Sequence, residues 1–309
     1  MAVRAPQRRR TPPGARRTRR LRLATTLTVT ALAVTGGVVW LTRDPDAPVV
    51  RERCWASVEG ESTSLSPEQA ANAATVVGLS VRRGLPARAA TIGIATIVQE
   101  SGMRNLDHGD RDSLGLFQQR PSQGWGTPEQ VQDPVFATNA FYDALIEVDG
   151  YRDLPVTDAA QQVQRSGFPL AYGDHEPEAR LIASALTGYT PGGFTCHLRG
   201  ADVPLENGDD SRLTDTAQRV ADAAATQVTT ASPAVVAGTS GRAFEFTLGG
   251  EDPARTAWAV AGWAVASAGT YPVTEVSVAG SRWTRAASSR DWVETATGLP
   301  AGGVQIRVG

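Results

Sequence analysis

The chain has 309 residues, a length that fits one large or two medium domains, and a formal net charge of −2. All 30 basic residues are arginine, and nine of them lie in residues 1–22 without any acid, which leaves 21 arginines against 32 acids, a balance of −11, for residues 23–309. This acidic body argues against a nucleic-acid partner and gives no electrostatic steering toward an anionic polymer.

An uncharged run follows the arginine-rich segment. Residues 23–42 contain no charged side chain, and about 20 such residues suffice to cross a bilayer as a helix. We therefore predict a transmembrane signal-anchor at 23–42, with residues 1–22 in the cytoplasm and the body of the protein outside it. A cleaved signal peptide is the alternative, because threonines and the Gly36-Gly37 pair make the run weakly hydrophobic. Residues 43–53 then form a linker.

The chain has two cysteines. Cys54 follows the linker, and Cys196 follows the last predicted helix of the first domain. Disulfides form and persist outside the cytoplasm, so we predict a Cys54–Cys196 disulfide, with two unpaired thiols as the alternative. The three histidines lie far apart and show no metal-binding spacing. We therefore expect no metal ion and no cofactor.

Helix signals begin soon after Cys54. Residues 66–69, Ser-Pro-Glu-Gln, form a capping box with proline at the first helical position, which predicts a helix ending near Arg83. A second helix begins at Pro86 and is apolar on several faces, so we expect it to be buried. It delivers Glu100, which is followed by the helix-ending pair Ser-Gly. Three more helices are predicted from residue 134, over 158–165 and over 177–186.

Glu100 is the first candidate for chemistry. The apolar side of its helix desolvates the carboxyl and the negative end of the helix dipole opposes its ionisation, so we expect its pKa to be raised. A carboxylic acid that stays protonated near neutral pH can protonate the leaving oxygen of a glycosidic bond. The alternative is that Glu100 merely ends a helix. We favour an enzyme.

A second block carries a family resemblance. Fifteen positions after Glu100 the chain reads Gly-Leu-Phe-Gln at 115–118, with Pro121 close behind. Together with Glu100-Ser101, this spacing resembles the lysozyme-like lytic transglycosylases, which cut bacterial peptidoglycan, over residues about 54–196. The resemblance implies a mainly α lysozyme-like domain at 54–198 with Glu100 as the catalytic acid. It also implies that Ser101 and Gln118 bind substrate.

The chain departs from the family pattern in two places. The family shows Ala-Tyr-Asn-Ala-Gly with the tyrosine hydroxyl near the catalytic acid, whereas here only Ala171-Tyr172 remains. We still expect Tyr172 to bind substrate. Gly109 stands where the family often has a substrate-contacting serine. Trp125, between two glycines, is expected either to stack on a sugar or to fill the core.

The loop between the two blocks is acidic. Asp107, Asp110 and Asp112 could hold calcium, although their spacing does not fit an EF-hand, or could supply a second catalytic carboxylate. We prefer a structural role for these acids, pairing with Arg104 and Arg111.

The rest of the chain forms a separate predicted unit. Residues 199–212 form an acidic linker before a small α/β module at 213–309, in which Trp258 and Trp263 are expected in the core. The module is predicted to contain helices over 213–228 and 253–268 and strands over 242–248, 274–278, 282–285 and 304–308. It is a candidate for binding wall polymer or proteins of wall synthesis or secretion.

The expected protein is a membrane-anchored, extracytoplasmic peptidoglycan lytic transglycosylase or muramidase. Its expected partners are peptidoglycan glycan strands and, through residues 23–42, the membrane. Glu100 would act as acid and then base on the β-1,4 bond between N-acetylmuramic acid and N-acetylglucosamine, and the product could be either the 1,6-anhydro sugar or the hydrolysed one. The alternative is a catalytically weak or inactive wall-binding scaffold.

Overall fold

The computed structural model describes residues 51–201, 206, 208–285, 291–296 and 298–309. Residues Val50–Gly309 form one compact unit, which contains both the predicted first domain and the predicted C-terminal module. The predicted cytoplasmic segment and signal-anchor lie outside the described residues. Among the helices that are described, none is both long and apolar enough to cross a bilayer.

Helices form most of the first half of the described chain. The α-helices of the described ranges are α1 Pro67–Arg82, α2 Ala87–Ser101, α3 Pro128–Gln132, α4 Pro134–Ile146, α5 Val156–Gln164, α6 Glu176–Leu186, α7 Asp215–Gln227 and α8 Pro253–Ala266. The predicted helices are confirmed, with ends that shift by one or two residues. The short α3 is absent from the prediction.

Two antiparallel sheets complete the fold. The smaller has the order β2-β1-β3, with β1 Arg53–Val58, β2 Glu61–Leu65 and β3 Phe194–His197. The larger has the order β4-β5-β9-β6-β7-β8, with β4 Ala234–Val235, β5 Ala243–Thr247, β6 Val273–Val278, β7 Ser281–Thr284, β8 Val293–Glu294 and β9 Gly303–Val308. Strands β5, β6, β7 and β9 confirm the predicted strands, whereas the smaller sheet is absent from the prediction.

Local sequence signals determine where α1 begins and where α2, the helix that carries Glu100, ends. Ahead of α1, Ser66 Oγ accepts from Gln69 N at 3.2 Å and Gln69 Oε1 accepts from Ser66 N at 2.9 Å, which confirms the capping box. Helix α2 ends at Ser101, and the next residue, Gly102, has a φ of 60°, the left-handed conformation typical of helix C-termini. Residues 89–97 of α2 are buried, so this helix is central, as predicted.

The smaller sheet joins the two ends of the predicted first domain. Strands β1 and β3 pair with Cys54 directly opposite Cys196, and the two cysteines form a disulfide across 142 positions of sequence. The predicted disulfide is therefore confirmed. All of the helices α1 to α6 lie inside the loop that it closes.

The two predicted parts share one hydrophobic core. Helix α8 packs against α1 and against strands β6 and β9. Trp263 of α8 is 1% exposed, and a Cβ added at Gly78 of α1 would come within 3.3 Å of Trp263 Cδ1. Trp258 is half-buried and packs edge-on against Trp292, with ring centroids 5.0 Å apart. Both tryptophans thus belong to the core, as predicted.

Candidate active site

Glu100 lies at the C-terminal end of α2, one residue before the helix ends. The preceding turn is apolar, and Ile97 is fully buried. The carboxyl itself is half-buried. Sequence and fold therefore place one acid where an apolar helix meets the surface, next to the negative end of the helix dipole.

A tyrosine hydroxyl contacts this acid. Tyr172 Oη donates to Glu100 Oε1 at 2.5 Å, across 72 positions of sequence. Burial raises the pKa of Glu100, while the hydrogen bond from Tyr172 and the neighbouring Gln164 side chain favour the ionised form and offset part of that rise. Within the described ranges, no ion pair involves Glu100. Desolvation is thus the main influence on its proton affinity.

Tyr172 is held in place by the chain around it. It lies in the 3-10 helix Ala171–His175, just before α6, and its side chain is fully buried. Burial and the bond to Glu100 both raise the pKa of Tyr172, so the phenol stays a proton donor. The missing Asn-Ala-Gly does not prevent the contact with Glu100, while contact of Tyr172 with a substrate stays a prediction.

Gln164 is a site residue that sequence reasoning misses. Its side chain lies beside Glu100 at the last position of α5, and its Nε2 donates to Phe117 O at 2.7 Å. It therefore joins the acid to the Gly-Leu-Phe-Gln block. A glutamine in an amphipathic helix carries no motif, so only the tertiary fold reveals this position.

Ser101 contacts the backbone of both sequence blocks. Its Oγ lies 2.8 Å from Leu116 O and 3.0 Å from Ile97 O, two backbone acceptors for one hydroxyl hydrogen. The first contact ties the end of α2 to the Gly-Leu-Phe-Gln block. Ser101 thus fixes the spacing of the two blocks, and its predicted contact with substrate stays untested.

Gln118 is also tied to the protein. It has a left-handed backbone with φ 48°, and its Nε2 donates to His108 O at 3.3 Å and to Gly115 O at 3.2 Å. A Cβ at Gly109 would lie 1.9 Å from Gln118 Oε1 and 2.7 Å from Ser113 O. Glycine at 109 is therefore required for the packing of the Gln118 amide. No contact between Gln118 and Glu100 is seen in the described part of the chain.

Trp125 lines a surface groove. The groove has a volume of about 830 Å³, and its walls include Trp125, Glu147, Gln162, Gln164 and Arg165. The indole of Trp125 is half-buried and packs against the core, so it both supports the fold and borders the groove. Because Gln164 lies beside Glu100, the groove reaches the neighbourhood of the acid.

The three acids of the 107–112 loop each contact a different side chain. Asp107 lies 2.8 Å from His108 Nδ1, and Asp110 lies 3.9 Å from Arg111 Nε. Asp112 accepts from Arg120 Nε at 2.8 Å rather than from the arginines predicted to pair with the loop acids, and this bond holds the pKa of Asp112 well below its usual range. These contacts give the three acids structural partners on and near the loop.

Among the described residues, no three His, Cys, Asp or Glu side chains come together as a metal site. No model of a known protein family matches the chain. No curated protein matches it either.

Proposed function

We propose that this chain is an extracytoplasmic enzyme that cleaves peptidoglycan glycan strands, of the lysozyme-like lytic transglycosylase or muramidase kind. The observation that carries the proposal is the half-buried carboxyl of Glu100, whose pKa is raised by burial and whose Oε1 accepts the Tyr172 hydroxyl. A general acid must keep its proton until it meets its substrate, and this environment favours that state.

The proposed reaction uses one carboxyl group. Because Oε1 accepts from Tyr172, the transferable proton resides on Oε2 and passes to the glycosidic oxygen as the C1–O4 bond of the muramyl residue breaks. The resulting carboxylate then takes a proton from the nucleophile that attacks C1. With the muramyl C6-hydroxyl as nucleophile the product is a 1,6-anhydro sugar, and with water it is the reducing sugar.

The substrate itself is proposed to complete the machinery. Burial and two neutral side chains, those of Tyr172 and Gln164, account for the shift in the pKa of Glu100. The two-carboxylate arrangement of most glycosidases is therefore not the one we propose. Instead, the N-acetyl group of the substrate would stabilise the positive charge that develops at C1, as in the family that the two blocks resemble.

The groove beside Gln164 supports a polymeric substrate. Its open shape, polar lining and half-buried Trp125 suit a sugar chain, whose rings combine hydroxyl groups with apolar C–H faces. The disulfide supports a location outside the cytoplasm, where such bonds persist. Anchoring through residues 23–42 belongs to the proposal as well.

The test is release of muropeptides from purified sacculi by the full chain, analysed by mass spectrometry. We expect Glu100→Gln to lower the rate by about 10² to 10⁴, the usual contribution of a positioned general acid. Glu61→Gln, the same substitution at an exposed position of β2, serves as the matched control and should keep full activity. Undiminished release by Glu100→Gln would remove the mechanism.

A wall-binding scaffold is the second candidate. It is favoured by the Gln118 amide, whose Nε2 already donates to two backbone carbonyls and so has less capacity for substrate. Sacculus binding by the wild-type chain without any product, over a range of pH, would select this candidate over the enzyme.

A further inference from the structure

A short apolar loop lies next to the candidate acid. We use this name for residues 166–171, which lie between α5 and Tyr172 and include Ala171, the first residue of the 3-10 helix. Phe168 is 73% exposed and Leu170 is 76% exposed, the highest values among the large hydrophobic side chains of the described chain. The two side chains lie two positions apart and form a small apolar surface, the kind of surface on which ligands bind.

The apolar loop is held by hydrogen bonds at several points. Gln161 Nε2 donates to Ser166 O at 2.9 Å, and Thr157 Oγ1 donates to Pro169 O at 2.7 Å. Both donors lie on α5, so the backbone of the loop is tied to a helix on two sides of Phe168. The two apolar side chains are therefore presented to solvent by a fixed backbone.

Both ends of the apolar loop flank Glu100. Gln164, just before it, lies beside the carboxyl, and Tyr172, just after it, donates to the carboxyl. Phe168 is four residues from each of them, and an extended chain spans at most about 3.6 Å per residue, so its Cα lies within about 14 Å of both Cα atoms. A polymer bound at Glu100 therefore passes within reach of the apolar loop.

The chemistry of the loop selects a sugar ring. Residues 166–171 carry no charge, and at the foot of the loop Arg165 is exposed and lines the groove. A pyranose offers one face of C–H groups to an aromatic or branched apolar side chain, while carboxylates of a wall peptide would suit the guanidinium. A glycan strand thus matches both the uncharged side chains of residues 166–171 and the positive charge of Arg165.

We propose that Phe168 and Leu170 are substrate-binding residues that hold the apolar face of a sugar unit of the glycan strand next to Glu100. This inference rests on the proposed function and adds a second binding surface to the groove that Trp125 borders. The two side chains touch substrate without taking part in proton transfer, so they act on affinity rather than on the chemical step.

The test is the double substitution Phe168→Ser with Leu170→Ser in the full chain. Val293→Ser is the matched control, because Val293 is 53% exposed on the edge strand β8 of the larger sheet. Binding to purified sacculi is measured in the Glu100→Gln background, and turnover is measured with Glu100 intact. We expect binding to weaken and KM to rise by about tenfold, with kcat within about twofold of wild type and the melting temperature unchanged. The control should match wild type throughout.

The outcomes separate this inference from the proposed function. Unchanged sacculus binding and unchanged KM in the double variant would overturn the inference, even if Glu100→Gln abolishes release. Absence of release by wild type, with binding that still depends on Phe168 and Leu170, would overturn the enzyme and leave the binding surface standing. Loss of association with anionic phospholipid vesicles, with sacculus binding unchanged, would make the apolar loop a membrane contact and overturn the inference.

Discussion

Tyr172→Phe isolates the hydrogen bond on which the candidate site depends. The substitution removes the hydroxyl that donates to Glu100 Oε1 at 2.5 Å. The phenyl ring still fills the same space, because Tyr172 is fully buried and the two residues differ by one oxygen atom. The change therefore measures the bond with little disturbance of the packing.

The expected cost depends on the charge of Glu100. A hydrogen bond to a charged group contributes roughly 1.5–3 kcal/mol, and one between neutral groups contributes roughly 0.5–1.5 kcal/mol. Tyr172→Phe should therefore lower the free energy of unfolding by roughly 1.5–3 kcal/mol where Glu100 is ionised, and by about 1 kcal/mol where it is protonated.

The direction of the pH dependence follows from the pKa of Glu100. Burial raises that pKa above its ordinary value of 4.5, so the folded state binds the proton more tightly than the unfolded state does. The stability that this difference contributes is fully present below the ordinary value and is lost as pH rises through the folded pKa. Without the hydroxyl of Tyr172 the folded pKa rises further, and the loss toward alkaline pH becomes larger.

The assay is urea unfolding of the wild-type and variant proteins at about pH 4.5 and about pH 8. Tyr142→Phe is the matched control, because the buried hydroxyl of Tyr142 donates to Val76 O at 3.0 Å, a neutral acceptor. Its cost should be equal at the two pH values. An equally pH-independent cost for Tyr172→Phe would refute the link between this hydrogen bond and the proton of Glu100.

Two further predictions concern the frame of the site. Replacing Cys54 and Cys196 together by serine should lower the free energy of unfolding by about 5 kcal/mol on the chain-entropy model, because the disulfide spans 142 positions. A loss of under about 1 kcal/mol, measured by urea unfolding, would contradict this prediction. Gly109→Ser should cost about 1–3 kcal/mol, because the new Cβ would lie 2.7 Å from Ser113 O. Gly249→Ser, where no atom lies within 4 Å of the added Cβ, should leave the melting temperature unchanged.

The sequence predicts those parts of the fold that local signals determine. Glu100 is placed correctly at the end of a central helix, because a capping box begins α1, Gly102 ends α2 and the apolar pattern of α2 is strong. The Cys54–Cys196 disulfide is predicted from chain order and compartment, and it requires no detail of the fold.

The smaller sheet could not be predicted in this way. Strands β1 and β2 are joined at Glu59 and Gly60, which have φ values of 52° and 91°, as a tight hairpin requires. However, β2 reads Glu-Ser-Thr-Ser-Leu, which is too polar to indicate a strand. Its stability comes from pairing with β1, which also pairs with β3 more than 130 positions later.

Only one of the two residues beside Glu100 can be predicted from the sequence, because both contacts join positions that are distant in the chain. Tyr172 is predicted because Ala171-Tyr172 matches two positions of the family pattern, although its contact with Glu100 depends on the turn that follows α5. Gln164 lies 64 positions from Glu100 and belongs to no pattern. The packing of α5 against α2 brings it to the acid, and no local signal encodes that packing.

Residues 213–309 have a structural role that could not be predicted from their sequence. Strand β3 is an edge strand of the smaller sheet, and a free edge leaves backbone groups without partners. Trp283 Nε1 donates to Cys196 O at 3.0 Å and Trp292 Nε1 donates to Phe194 O at 2.9 Å, so two indoles cover the edge beside the disulfide. Helix α8 also packs on α1, and α1 packs on α2, the helix that carries Glu100, so residues beyond the disulfide loop support the candidate acid through α1.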